Sequence, residues 1–443
     1  MRGKARLLPP ALAAAAAAGA WALSPPYLKG AARGLLYGAG LKSVPLDGLA
    51  RFTATIVGKA DHPPCFAQMH EHVQYVTGVP PDEFYLSDGW KMAEATKRVC
   101  DWYGMDIALP FTDVYNFEAE ALGARMVYGG VDMPTIDFTS PLVAEVGDFR
   151  RLDTGFHSGR GRIRFVIDNV NAIKELCGLP KIIPFCAPFS LAVGVRSYPA
   201  LIRDMRRDPA AARDLFTWIV EEMHPRYLGL IKKETGARLA VGADAWACFP
   251  NLTLDMIEEW VLPYNARLRE IMRREGMAVT FLPTGDYCEE RPERFDRETM
   301  EKCWSAVCRG MVGSLAESGM PVMFMGRTQE WPLEWLQDFA LRHATNLYGK
   351  RAIVASINAR FIREGPAEAV VEYVKRAVDV LGREGRLFFL FAQIPAATPP
   401  AHVHAAVAAM RTYGRYPIPA RLDDVEFEMP RFEPFADWLA GRG

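Results

Sequence analysis

Residues 105–123 read MDIALPFTDVYNFEAEALG, and the fold follows from how this stretch is punctuated. An apolar run, Ile107–Phe111, has the length of a buried strand. A single carboxylate, Asp113, comes next, and the chain then resumes with helical spacing over Glu118–Leu122 and stops at Gly123. A buried strand that releases an acid into a loop is a common way to build an active site. The same pattern suits a helix cap, because Asp is a preferred capping residue. The residues by themselves leave both roles open.

The alternation repeats on either side. Leu46–Gly58 reads as a helix with Leu46, Leu49, Phe52 and Ile56 on one face. Cys65–Met69 is a strand candidate and Asp88–Tyr103 a helix. Residues 124–162, with Gly129-Gly130 and several Pro and Asp, read as a hairpin or insertion over the strands. Beyond them Ile182–Cys186, Ala237–Val241, Ala278–Leu282, Pro321–Met325, Ala352–Ile357 and Leu387–Phe391 are short apolar runs. Asp208–Glu234, Thr253–Glu275, Arg297–Ser318, Leu333–Leu347, Pro366–Gly382 and Ala401–Thr412 read as helices; Pro209 takes a tolerated first-turn position, and Pro263 predicts a kink. Runs that are apolar without clear alternation predict parallel strands buried on both faces. Eight of them, with helices between, predict an α/β fold of the (β/α)8, TIM-type barrel kind in one domain. The expected organisation is an Ala-rich N-terminal extension over residues 1–43, the barrel over 44–420, and a tail over 421–443 that wraps the outside.

The chain has 443 residues, 50% hydrophobic and 24% charged, which is ample material for a large core. With 52 basic and 53 acidic residues the formal net charge is −1. No global field therefore favours nucleic acid or an anionic membrane, and the sequence has neither a Gly-rich phosphate loop nor a basic stripe. Eight cysteines are scattered without a C-x-x-C pair, the pattern of reduced thiols in a cytoplasmic protein. Arg2, Lys4 and Arg6 precede the apolar run Ala11–Leu23 and then Ser24-Pro25-Pro26. An export signal, an interfacial anchor and a disordered extension all fit that order, and the run is short for a membrane span. We expect the extension, in a cytoplasmic protein.

DIALPFTDVYNFEAEALG resembles the D-x-A-I-x-F-S-D-I-x-x-x-x-E-A-L-G signature of the uroporphyrinogen decarboxylase superfamily. PFCAPFSLAVG (184–194) is similar to its G-P-F-T-L segment, and GADAWACFPNLTLDMIEEWVLPYNARL (242–268) to its G-A-D…W-A…P-Y-x-x-R-L segment. INARFIREGPAEAVVEYVKRAVD (357–379) and FFLFAQIPAATPPAHVHAAVAAM (388–410) resemble the G-N-x-D-P and closing-strand segments. The resemblance implies a (β/α)8 barrel and one of two activities, porphyrinogen decarboxylation or cobalamin-linked methyl transfer. It also implies that the acid matching Asp113 reaches the substrate cavity, as in the decarboxylases.

Two departures bear on the choice. Porphyrinogen decarboxylases carry R-Q-A-G-R-Y after the first strand, and those arginines meet the substrate's acidic side chains, since guanidinium forks match carboxylates. Here the region is Gln68-Met69-His70-Glu71-His72, so an octacarboxylate would have to lean on Arg327, Arg360 or Arg196. The methyltransferase branch often binds zinc through H-x-C after the fifth strand and a Cys after the eighth. Leu282-Pro283-Thr284 and Ala392 stand there instead, so no zinc is expected at those places and the metal ligands stay unassigned. Cys288 reads either as a shifted ligand or as a buried structural thiol. The G-x-x-x-x-E-x-Y-x-D-x-x-x-M-A-x-A spacing within residues 72–106 turns the resemblance towards the methyltransferase-like branch.

In a barrel the C-terminal strand ends carry the chemistry. They deliver His70, Glu71 and His72 after the first strand, then Asp113, then Cys186 and Ser190, then Asp244 and Trp246. Thr284, Asp286, Tyr287 and Cys288 follow, then Arg327 and Glu330, Asn358 and Arg360, and last Gln393. His70 and His72, two apart, point to one side of an extended segment; they read as proton carriers, metal ligands or plain loop histidines. The expected catalytic set is Asp113, His70 and His72, with Glu71, Asp244, Trp246, Asp286, Arg327, Asn358, Arg360 and Gln393 binding substrate. The resemblance implies methyl transfer between a small methylated compound and a corrinoid on a partner protein, since no D-x-H-x-x-G corrinoid motif occurs in this chain. The alternatives are a uroporphyrinogen-type carboxy-lyase and a non-catalytic barrel that binds a tetrapyrrole or another ligand.

Overall fold

The computed structural model describes residues 26–43, 46–86, 88–111, 113–128, 133–248, 251–283, 298, 301–302, 306, 322–323, 332–343, 353–391 and 393–442. Its strands are β1 (Cys65–Ala67), β2 (Ile107–Ala108), β3 (Met126–Val127), β4 (Thr135–Ile136), β5 (Ile182–Cys186), β6 (Leu239–Asp244), β7 (Ala278–Pro283), β8 (Val322–Met323), β9 (Ile353–Ile357) and β10 (Leu387–Phe391). Apart from the antiparallel pair β3–β4, every ladder is parallel. The parallel strands lie in two arcs, β2-β1-β10-β9-β8 and β5-β6-β7. The last strand pairs with the first, Phe66 opposite Leu390 on one side and Ile107 on the other, as a ring of strands requires. The fold class is α/β, of the TIM-barrel kind.

Side-chain alternation sorts the apolar residues into two cores. Cys65, Ala67, Leu387, Phe389 and Phe391 pack outward against helices. Phe66, Ile107, Val354, Phe388 and Leu390 meet in a separate inner cluster. The helix Gly48–Ile56 plugs the N-terminal end of that interior with Leu49, Phe52 and Ile56; the Phe52 ring lies 4.6 Å from Phe388. Both faces of β9 and β10 are buried throughout, which explains why these strands read as continuous apolar runs. At the middle of β6 a Cβ on Gly242 would fall 2.7 Å from Phe185 and 2.9 Å from Phe281. Glycine there lets the two rings close over the strand from either side.

Most helices lie where periodicity puts them. Asp88 caps Gly89–Tyr103 by accepting from the Trp90 amide, and the helix around Pro263 divides into Leu254–Trp260 and Leu262–Arg274. Helices without a counterpart in the sequence reading include Pro26–Gly38, His70–Thr77, Pro81–Leu86, Ile163–Cys177, Pro188–Arg196, Tyr198–Arg207, Ala359–Glu364 and Phe435–Ala440. Most of the expected helix Arg297–Ser318 lies outside the described residues. The segment after Tyr413 runs over the outside: Trp102 donates to the Glu433 carbonyl at 2.9 Å, and Phe432 stacks on His404. Among the described cysteines, Cys65, Cys100, Cys177 and Cys186 are free thiols. Among the described residues no helix is long and apolar enough to cross a membrane.

Candidate active site

At the C-terminal strand ends, opposite the plugged floor, lies a cavity of about 70 Å³. Leu109 and Phe111 after β2, Pro184 of β5, Val241 and Ala243 of β6, Leu282 of β7 and Leu390 of β10 all line it. Both arcs of strands therefore surround one hollow. Its wall is apolar except at Gln68 and Tyr115. Leu282, at the position matched to the first zinc ligand of the methyltransferase branch, presents a side chain with no donor atom.

His70 comes two residues after Gln68, which lines this hollow. The strand ends at Ala67, and the chain turns directly into the helix His70–Thr77. The expectation that His70 and His72 share a side is therefore corrected: on a helix, residues two apart point in opposite directions. His72 turns outward into the core, with Nε2 at 2.6 Å from the Tyr103 hydroxyl and Nδ1 at 3.1 Å from the Ala396 carbonyl. Burial holds its imidazole neutral, down to about 4. His70 is 3% exposed, and among the described residues neither ring nitrogen completes a hydrogen bond. Burial lowers its pKa, against the pull of Glu71, Asp113 and the Phe111 carbonyl. A buried neutral imidazole with both nitrogens uncommitted can take up or release a proton, or hold a ligand atom.

Asp113 is 1% exposed, and its carboxylate does not cap the helix Phe117–Leu122, whose N-cap is Asn116. Arg162 grips it instead, Nη1 to Oδ1 at 3.1 Å and Nη2 to Oδ2 at 2.6 Å. The same guanidinium donates from Nε to Glu120 at 2.6 Å and lies 4.6 Å over the Phe117 ring. Burial opposes the charge on Arg162, but Asp113 and Glu120 more than offset it and raise its pKa. Two further acids sit nearby. Glu118, fully buried, accepts from the Cys186 amide at 2.9 Å, and burial pushes it up to about 8. Asp244 accepts from Ser190 Oγ at 2.6 Å, and burial pushes it up to about 7. Among the described residues Glu118 Oε2 and Asp244 Oδ2 have no partner.

The remaining candidates are dispersed. Val241 and Ala243 line the hollow, and strand alternation turns Asp244 the other way, towards Ser190. Trp246 stacks on Tyr198 at 5.2 Å. Asn358 Oδ1 caps the helix Ala359–Glu364, accepting from the Arg360 and Phe361 amides at 2.8 and 3.1 Å. Arg360 pairs with Glu364 at 2.8 Å, and Arg196 with Asp204 at 2.7 Å. Gln393 donates to Glu71 at 3.2 Å. Asp286 and Arg327 lie outside the described residues, as do Thr284, Tyr287, Cys288, Glu330 and Ala392. Among the described residues no three His, Cys, Asp or Glu side chains converge on a metal position. The sequence reading missed Arg162 and Glu118. Glu118 sits inside the quoted stretch, but nothing in its spacing distinguishes it from an exposed helical acid.

Three comparisons with known proteins follow this geometry. The family described as Uroporphyrinogen decarboxylase (URO-D) matches residues 50–413. Comparison with curated proteins gives no match. A methyltransferase from Methanosarcina mazei superposes with a TM-score of 0.59 at 16% identity, covering 82% of this chain and 97% of its own. A B12-independent methionine synthase from Shewanella sp. W3-18-1 gives a TM-score of 0.37 at 10% identity, covering 73% and 86%; the first of these likenesses is one of fold, and the second carries no argument.

Proposed function

The chain belongs to the uroporphyrinogen decarboxylase family, and from that premise we propose that it moves a methyl group between a small methylated compound and a corrinoid carried by a partner protein. The observation that carries this reading is the apolar hollow at the strand ends, lined after β1 by Gln68 in a region where the decarboxylases carry arginines and this chain has none. A substrate with many carboxylates needs several cations. Arg162, Arg196 and Arg360 are each engaged by acids of the chain itself. A cavity of about 70 Å³ also falls below the roughly 300–1,000 Å³ typical of drug-sized ligands, which favours a small methylated group over a macrocycle.

A corrinoid, when bound, would supply a reversible methyl acceptor. The chain's own residues do the rest. The hollow holds the methylated end of the substrate and excludes water from it. His70, neutral and uncommitted, gives or takes the proton at the substrate heteroatom as that atom loses or gains its methyl group. The Asp113–Arg162 clasp holds the loop after β2 against the wall of the hollow. A zinc site of the branch's usual form does not fit at Leu282, so heteroatom activation is assigned to His70.

The test is spectroscopic. Purified protein, free methylcobalamin or cob(I)alamin, and a panel of methyl ethers, thioethers and thiols should give a change in corrinoid absorbance that depends on one substrate class. A parallel incubation with uroporphyrinogen reads out the decarboxylase alternative. Release of coproporphyrinogen without corrinoid turnover would replace the proposal by that alternative.

A further inference from the structure

Two short helices house His70. It opens the helix His70–Thr77, and Tyr85 of the helix Pro81–Leu86 meets its ring edge-on at 6.3 Å. Helices this short are not stable by themselves in water, so contacts from elsewhere hold them. The end of the chain supplies a contact to each.

The first contact runs through rings. Trp102 and Tyr103 are the last two residues of the helix Gly89–Tyr103. Trp102 Nε1 donates to the Glu433 carbonyl at 2.9 Å, and the Phe435 ring lies 5.4 Å from the indole. The His404 ring sits among Phe432, Trp102 and Tyr103, at 4.5, 4.7 and 4.6 Å. Tyr103 in turn stacks on His72 at 5.8 Å. The Ala396 carbonyl draws the His72 proton to Nδ1, so Nε2 accepts from the Tyr103 hydroxyl. The second contact is a cavity of about 270 Å³, closed on one side by Phe435 and Leu439 and on the other by Thr77, Val79 and Phe84. Thr77 ends the helix that His70 begins, and Phe84 packs edge-on against Tyr85 at 5.0 Å. The terminal segment itself is held lightly: among the described residues none after Leu422 is buried, and Phe432 is 40% exposed. Such segments open well before the whole fold does.

We propose that residues 425–442 form a detachable strap that fixes the two helices around His70, with Trp102, Phe432 and Phe435 as its positioning residues. With the strap seated, the Tyr103–His72 and Phe84–Tyr85 ring contacts are closed and the His70 imidazole is held still. With the strap released, both helices loosen while the barrel stays folded. The coupling is by packing, so a ring at position 72 suffices for it. The inference rests on the role given to His70 in the proposed reaction.

The variant Phe432→Ser/Phe435→Ser changes two side chains that are not buried. Amide hydrogen exchange of the full chain, read by mass spectrometry, should speed up about tenfold or more both at residues 428–440 and at residues 73–78, where the helix His70–Thr77 forms its hydrogen bonds. The helix Ile163–Cys177 should exchange as in the parent. Phe432→Tyr/Phe435→Tyr keeps both rings and should behave as the parent. Trp102→Phe removes only the donor to Glu433 and should loosen the same two segments less; it decides on the same readings if the serine variant fails to fold. In the corrinoid assay the serine variant should lose about tenfold in kcat with KM unchanged, since the hollow is walled by strand ends. Unchanged exchange at 428–440 overturns the proposal, because those rings then do not hold the strap. Faster exchange there with either residues 73–78 or kcat unchanged also overturns it, because the strap then leaves without disturbing His70. Exchange needs no substrate, so a parent chain without corrinoid turnover removes the proposed reaction, and the exchange comparison still decides whether the strap holds the helices.

Discussion

Removing the Asp113 carboxylate tests whether the Arg162 clasp is what fixes the loop after β2. The side chains of Arg162 and Asp113 are 5% and 0% exposed, and two charge-assisted hydrogen bonds join them. Breaking a buried pair by deleting one partner typically costs about 3–5 kcal/mol, because the survivor is left buried and unpaired. Glu120 stays 2.6 Å from Arg162 Nε, and its side chain is 15% exposed. The guanidinium therefore keeps half its neutralisation, and Asp113→Ala should cost about 3 kcal/mol, the lower end of that range. Arg162→Met takes the cation from both Asp113 and Glu120 and should cost more, about 4–5 kcal/mol. The double variant Asp113→Leu/Arg162→Met removes both buried charges, so its cost should fall short of the sum by about 2 kcal/mol. Urea unfolding followed by far-ultraviolet circular dichroism measures all three, provided that midpoint and slope agree with a second probe. If Asp113→Ala unfolds within about 0.5 kcal/mol of the parent, or if the two single costs simply add, the clasp does not hold the loop and the reasoning fails.

Other expectations follow from the same geometry. Glu118 and Asp244, with pKa values pushed up to about 8 and about 7, bind more protons folded than unfolded once the pH exceeds their ordinary carboxyl values. Stability must therefore fall as pH rises towards those folded values. Above about pH 7.5 the buried histidines are almost wholly neutral in both states, and between about pH 7.5 and 8.5 the fall should be on the order of 1 kcal/mol; Glu118→Gln, which keeps the acceptor for the Cys186 amide, should remove most of it. A flat profile in the parent would refute the burial argument. His70→Gln should keep the stability of the parent within about 1 kcal/mol and lower turnover by about 100-fold or more, whereas His72→Phe should keep turnover and lose about 1–3 kcal/mol, since Tyr103 loses its partner. The reverse pattern in steady-state assays and melts would exchange their roles. Gly242→Ala should cost about 1–3 kcal/mol in urea unfolding, because Phe185 and Phe281 must give way to the new methyl group; an unchanged midpoint would mean that the strand shifts freely.

Much of the fold was legible in the sequence, because burial on both faces turns parallel strands into short apolar runs, and periodicity sets the helices between them. Cys65–Ala67, Ile182–Cys186, Ile353–Ile357 and Leu387–Phe391 lie on or within the runs that composition marks. The helix Ile163–Cys177 escaped because it follows directly on an irregular, Gly-rich insertion. The site was less legible. The sequence placed His70 and Asp113 just past strand ends, but it could not say which way each turns. That depends on whether the chain continues extended or winds into a helix at His70, a choice that packing makes. The sequence also offered two roles for Asp113; its carboxylate does not cap the following helix, and neither role foretold its contact with Arg162. Arg162 reaches it across 49 residues, and no local pattern relates them, since an ion pair needs only two side chains brought within about 3 Å in a place water cannot enter. Order along the chain determined the ring of strands, by way of the hydrophobic pattern. Only the packing of strands and helices in three dimensions decided which charges meet and which histidine keeps its nitrogens free.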